Sequence, residues 1–194
     1  LVCQVRKEQI PLYSLLFPFS VLPVSSMDKR IFVEHADAMQ SAVRMGMLSL
    51  ERHHPDYLKT RVMVTLFGGY FGSRLMSNIR EDKGYTYGIG AGIVSYPETG
   101  ILTVSTEAAN EYVDSIITEV YREMDKLCND LVPQEELEMV KNYMLGDLCR
   151  SYEGPFSLSD AWIYDFGVGI YCNNFYTCFC AYGRSNLIFA FVFN

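Results

Sequence analysis

Between Ser41 and Met47 the side chains alternate well enough to predict a strand, and a shorter extended pattern, Ile31-Phe32-Val33, precedes it. The period then lengthens. Leu58, Val62 and Leu66 recur at i, i+4 and i+8, which predicts a helix running to about Phe67. Pro55 suits its first position and Asp56 its positive end. Gly68-Gly69 offers the left-handed conformation at which helices often stop. Ser73 stands where it would cap a second, short helix carrying Leu75, Met76 and Ile79, which runs into Arg80-Glu81-Asp82-Lys83 and ends at Gly84.

A period of two follows. Tyr87, Ile89, Ala91 and Ile93 alternate with Gly88, Gly90 and Gly92, giving a strand with one nearly bare face that another segment can approach closely. The Pro97-Glu98-Thr99-Gly100 turn leads into Ile101-Leu102-Thr103-Val104-Ser105-Thr106, so the two strands form a hairpin. Two long amphipathic helices come next, both expected to lie across the sheet. The first carries Val113, Ile116, Ile117, Val120, Met124 and Leu127 on one face; the second starts at Pro133 and carries Leu137, Val140, Met144 and Leu148. A further helix is expected from about Phe156 to Phe166, with Trp162 as a buried anchor. The order strand, helix, helix, hairpin, helix, helix predicts an α+β fold: an antiparallel sheet with helices packed on one face.

The two ends break this pattern. Residues 1–30 are irregular and rich in Pro and Ser, like a linker or the end of a preceding region. Their apolar stretch Ile10 to Val24 is too short to span a bilayer and holds Pro11, Pro18 and Pro23. Residues 167–194 are aromatic and carry a single formal charge, Arg184. They fit a truncated product, an altered reading frame or a divergent tail. The domain proper is thus expected over residues 31–166.

Charge and candidate chemistry narrow the function. A net charge of -7 without a basic stripe excludes nucleic acid as the expected partner. Of the six cysteines, Cys3, Cys128, Cys149, Cys172, Cys178 and Cys180, none forms a C-x-x-C pair; Cys128 and Cys149 fall on helical patterns and read as buried thiols. The three histidines, His35, His53 and His54, match neither spacing that a helical zinc site requires, so no metal is expected on this chain. No G-x-S-x-G elbow or activated cysteine is present, and Glu135 and Glu136 read as dipole-compensating carboxylates of a first helical turn.

The block from Gly68-Gly69-Tyr70-Phe71-Gly72-Ser73-Arg74-Leu75 through Arg80-Glu81-Asp82-Lys83-Gly84-Tyr85-Thr86-Tyr87 carries a glycine-rich turn, then Ser-Arg-Leu, then Arg-Glu-x-x-Gly-x-x-Tyr. With Pro133 to Lys141, it resembles the C-terminal, inactive domain of pitrilysin (insulinase-like) zinc metallopeptidases, including bacterial processing-peptidase-like proteins. The resemblance covers about residues 38–166. It implies two homologous halves closing around a peptide, with zinc held by the other, catalytic half and none here. It further implies that Arg80 and Tyr87 reach across to the substrate, Tyr87 as a donor to the oxygen that gains charge. Read without the resemblance, Arg80 serves as a charge at a helix end and Tyr87 as ordinary strand packing. Gly68, Gly69 and Gly72 fit a substrate-touching lip and, equally, a helix cap followed by a tight turn. The expected partners are a zinc-bearing domain or subunit and a peptide substrate, in bacterial cytoplasm, periplasm or mitochondrion. The alternative is an inert scaffold subunit of the same superfamily.

Overall fold

The computed structural model describes residues 30–35, 37–96 and 99–167, apart from the side chains of Trp162 and of residues 164–167. Two compact units divide the described residues, one up to Leu137 and one from Glu138. In the first, strand β1 (Gln40–Ser49) is followed by helix α1 (Tyr57–Val64), which passes directly into a π-helical turn, π1 (Thr65–Gly69). A second π-helical segment, π2 (Met76–Asp82), leads to strands β2 (Thr86–Ser95) and β3 (Gly100–Ala109), and helix α2 (Val113–Asn129) follows. The sheet is antiparallel in the order β1-β3-β2, so the expected hairpin forms and its second strand is the central one. The Tyr96 N–H donates to the Thr99 carbonyl at 2.8 Å to close the turn, whose Pro97 and Glu98 lie outside the described residues.

Alternation along β3 decides which face the helices cover. Leu102, Val104, Thr106 and Ala108 are buried, whereas Ser105 and Glu107 are exposed. Phe67, Leu75 and Ile79 from the helical segments meet Ile89 and Val104 of the sheet and Ile116 and Val120 of α2 in one apolar cluster. The first long helix thus lies on the sheet by the stripe its 3.6-residue period marks. Burying a full aliphatic or aromatic side chain contributes roughly 1.5–3 kcal/mol, so this cluster dominates the unit's stability.

Helix α3 (Gln134–Ser151) begins in the first unit and continues into the second, where α4 (Pro155–Gly167) follows. Leu137, Val140 and Met144 are its buried apolar positions, as the spacing predicts, and Lys141 is buried beside them. The anchor expected at Trp162 falls on a side chain outside the described residues, as does the tail from residue 168.

Several local expectations are corrected. Ile31, Phe32 and Val33 are exposed and belong to no strand, because no neighbouring segment pairs with them among the described residues. Pro55 lies in a turn before α1, where the His54 Nδ1 accepts the Asp56 N–H at 3.1 Å, and Pro133 precedes α3, its carbonyl accepting the Leu137 N–H at 3.1 Å. Ser73 accepts the Ser77 N–H at 2.9 Å through its carbonyl, but its buried hydroxyl has no partner among the described residues and caps nothing. Cys128 and Cys149 are exposed, not buried. Each sits one residue past an apolar stripe position, Leu127 or Leu148, and is turned about 100° away from it.

Candidate functional site

Gly84 ends π2 with φ +65°, the left-handed conformation that glycine adopts without steric cost. The Gly84 N–H donates to the Arg80 carbonyl and the Tyr85 N–H to the Ile79 carbonyl, each at 3.1 Å. Both bonds reach one residue further than in the usual glycine cap, as the wider π turn requires. The chain reverses there, so Arg80 at the end of π2 and Tyr87 at the start of β2 come to one place.

A bulge then fixes the direction of Tyr87. Thr86 faces Ala108 and Ile89 faces Thr106, so three steps on β2 match two on β3. Strict alternation would put Tyr87 on the same face as Ile89. Instead Ile89 is buried and Tyr87 is 90% exposed. Two core hydroxyls stabilise the bulge. Thr86 Oγ1 donates to the Glu107 carbonyl at 2.6 Å and accepts the Gly88 N–H at 3.2 Å, while Thr106 Oγ1 donates to the Gly88 carbonyl at 2.9 Å. Bulges re-aim side chains in this way next to functional sites.

The Arg80 guanidinium lies over the Tyr87 ring at 5.2 Å and over the Phe71 ring at 4.6 Å, within the range of cation–π attraction. Phe71 is 62% exposed at the tip of a turn closed by the Ser73 N–H donating to the Tyr70 carbonyl at 3.1 Å. Sequence reasoning missed Phe71 as part of the site. Its signal was an aromatic residue set between Gly69 and Gly72, where a turn displays it.

The three candidate glycines separate. Gly68 is buried, and a Cβ there would stand 2.7 Å from both the Cβ and the nitrogen of Ala91. It lets π1 press directly on β2. The close approach expected on the bare face of β2 is met at Gly90, where an added Cβ would stand 3.6 Å from the Gly68 carbonyl oxygen, and π1 abuts Ala91 beside it; Gly88 and Gly92 face nothing within 4 Å. Gly69 and Gly72 are exposed on the turn beside Phe71. Neither Gly68 nor Gly69 is left-handed, so the helix does not end in a glycine cap.

Polar contacts hold this rim to its support. Arg74 grips Glu136 by two parallel bonds of 2.8 Å, which keeps the guanidinium charged and turns the supposed dipole carboxylate into a fastener. Asn78 donates to Glu119 at 3.1 Å and to the buried Glu123 at 2.8 Å, and Lys83 meets Glu119 at 2.6 Å. These ties join π2 to α2. The hydrogen bond from Lys83, offset in part by desolvation and reinforced by Asn78, holds the Glu119 carboxyl below its ordinary 4.5. Its contribution to stability is therefore complete above 4.5 and lost as pH falls through the lowered folded value, because the unfolded chain takes up the proton first. Glu119→Gln is expected to lower the urea midpoint at neutral pH and to flatten its acid dependence below 4.5. An unchanged acid slope would contradict this.

Among the described residues no group of three His, Cys, Asp or Glu side chains could hold a metal ion, and no helix is long and apolar enough to cross a membrane. A sequence profile described as the peptidase M16 inactive domain matches residues 19–144, well over half the chain. The chain belongs to this family. The M16 inactive domain is 29% identical over 114 residues to the uncharacterized zinc protease YmxG of Bacillus subtilis, covering 59% of this chain and 28% of that protein. It is 26% identical over 137 residues to an uncharacterized zinc protease of Rickettsia felis, covering 68% of this chain and 32% of the relative. The chain thus spans about a third or less of these relatives' length. An M16 inactive domain from Pseudomonas fluorescens shares its fold, with a TM-score of 0.69 at 20% identity over 76% of this chain and 35% of that one. The α+β architecture and the zinc-protease family expected from sequence are both borne out.

Proposed function

We propose that this M16 inactive domain binds and positions peptide for proteolysis at a zinc site held by another domain or chain. The observation that carries the reading is the convergence of Arg80 and Tyr87 beside Gly84, both offering donors that the described residues do not use. The Arg80 side chain makes no hydrogen bond or ion pair among the described residues, and neither does the Tyr87 hydroxyl. A guanidinium supplies fixed donors to peptide carbonyls, and a phenol O–H can donate to a carbonyl oxygen as it becomes negative. Gly69 and Gly72 add exposed backbone beside them. The reading assigns the cutting chemistry to the partner, whose zinc would be held by donors of its own.

Family membership supports the role, since the relatives are named zinc proteases. The test is a peptidase assay of the complete enzyme with and without this domain. Activity is expected to fall without it while the zinc content of the catalytic half stays constant. Equal activity in its absence would overturn the reading and favour an inert scaffold.

A further inference from the structure

We propose that Phe71 is a positioning residue that holds the Arg80 guanidinium over the Phe71 and Tyr87 rings, so that its donors meet a peptide already aimed. This rests on the peptide-binding reading and adds a residue that reading does not need.

Other arginines of this chain are held by carboxylates. Arg74 is fixed by Glu136, and Arg44 and Arg122 lie at 3.5 Å and 3.4 Å from Glu107 and Glu119. A carboxylate fixes a guanidinium by consuming its donors and neutralising its charge. Arg80 has no such partner among the described residues, although the chain carries 23 acidic side chains and Glu81 and Asp82 follow directly. Aromatic rings hold a guanidinium differently. They attract its planar face and leave the N–H groups along its edge free to bond. The two rings thus orient Arg80 without using what it has to offer a ligand.

Phe71 has little other purpose. Its ring is 62% exposed, so it adds little to the core, and it sits at the apex of the Tyr70–Ser73 turn. Tyr87 is aimed by the bulge and its two threonine hydroxyls, so both rings rest on hydrogen-bonded supports.

The test uses this chain and a fluorescently labelled pool of unstructured peptides of randomised sequence, read by anisotropy. The Arg80 Nε–Hε resonance is recorded alongside, because nearby ring currents displace it. Phe71→Leu is expected to weaken peptide binding about two- to fivefold, the range of a cation–π contact at an exposed site. It should also return the Nε–Hε signal towards its ordinary position. Phe71→Trp should preserve both, and Phe71→Leu should change nothing further in an Arg80→Ala background. If Arg80→Ala weakens binding but Phe71→Leu does not, this inference fails alone. Equal weakening by Phe71→Leu in both backgrounds would mean that Phe71 touches peptide directly, which also overturns it. If Arg80→Ala leaves binding unchanged, the peptide-binding reading fails and takes this inference with it.

Discussion

Tyr87→Phe in the complete peptidase is expected to lower kcat and kcat/KM together, by about 10²-fold or more, with zinc content unchanged. The size follows from the proposed role. A donor aimed at an oxygen that becomes negative only during attack stabilises the transition state more than the bound substrate, and removing one such donor costs about 10²–10³ in rate. Loss confined to the transition state appears in kcat as well as in kcat/KM. The substitution removes one hydroxyl from a side chain that is 90% exposed, so folding gives no competing explanation. Surface changes of this kind alter stability by no more than about 0.5 kcal/mol.

Arg80→Ala provides the contrast. A guanidinium that grips peptide carbonyls before and during the reaction contributes uniform binding, which raises KM when lost and leaves kcat nearly constant. A hydrogen bond to a charged group contributes about 1.5–3 kcal/mol, so a rise in KM of roughly tenfold to a hundredfold is expected. The two variants therefore separate holding from assistance. Wild-type kinetics in both would remove the pair from the mechanism.

The sequence showed the scaffold of this site more clearly than its surface. Ile116 and Val120 are buried because a helical period forces them onto one face, and that period is visible in any window of α2. Glu123 lies on the same side and is buried too, held by Asn78 and Lys126. No local pattern distinguishes such a carboxylate from one in water, since its partner on π2 is 45 residues away. The bulge at Tyr87 was equally hidden. Alternation continues unbroken through Tyr87 and Ile89, and the extra residue becomes visible only against the register of β3. Phe71 and Arg80 meet across nine positions through a turn and a π-helical segment, a geometry that simple helical spacing does not give. Gly84 was legible because a charged helix end followed by glycine has a local cause.

Gly68→Ala is expected to destabilise the chain by about 1–3 kcal/mol, a cost typical of forcing an extra carbon into a packed interior. Its new Cβ would lie 2.7 Å from both the Ala91 nitrogen and Cβ and 3.0 Å from Leu75 Cδ1. Backbone on one side and buried Leu75 on the other leave no easy retreat, so π1 and β2 must separate. Alanine's better helix propensity offsets at most about 1 kcal/mol of this. Gly69→Ala and Gly72→Ala meet only side chains, of Thr65 at 3.3 Å and of Tyr70 at 3.0 Å, and should be milder. Urea unfolding of the three variants checks the order, and a Gly68→Ala protein as stable as the parent would refute the packing role. A second change sharpens the test. Ala91→Gly removes the Cβ contact but leaves the strand nitrogen in place, so it should restore only part of the loss. Full restoration would mean that the Cβ pair alone sets how closely the two elements approach.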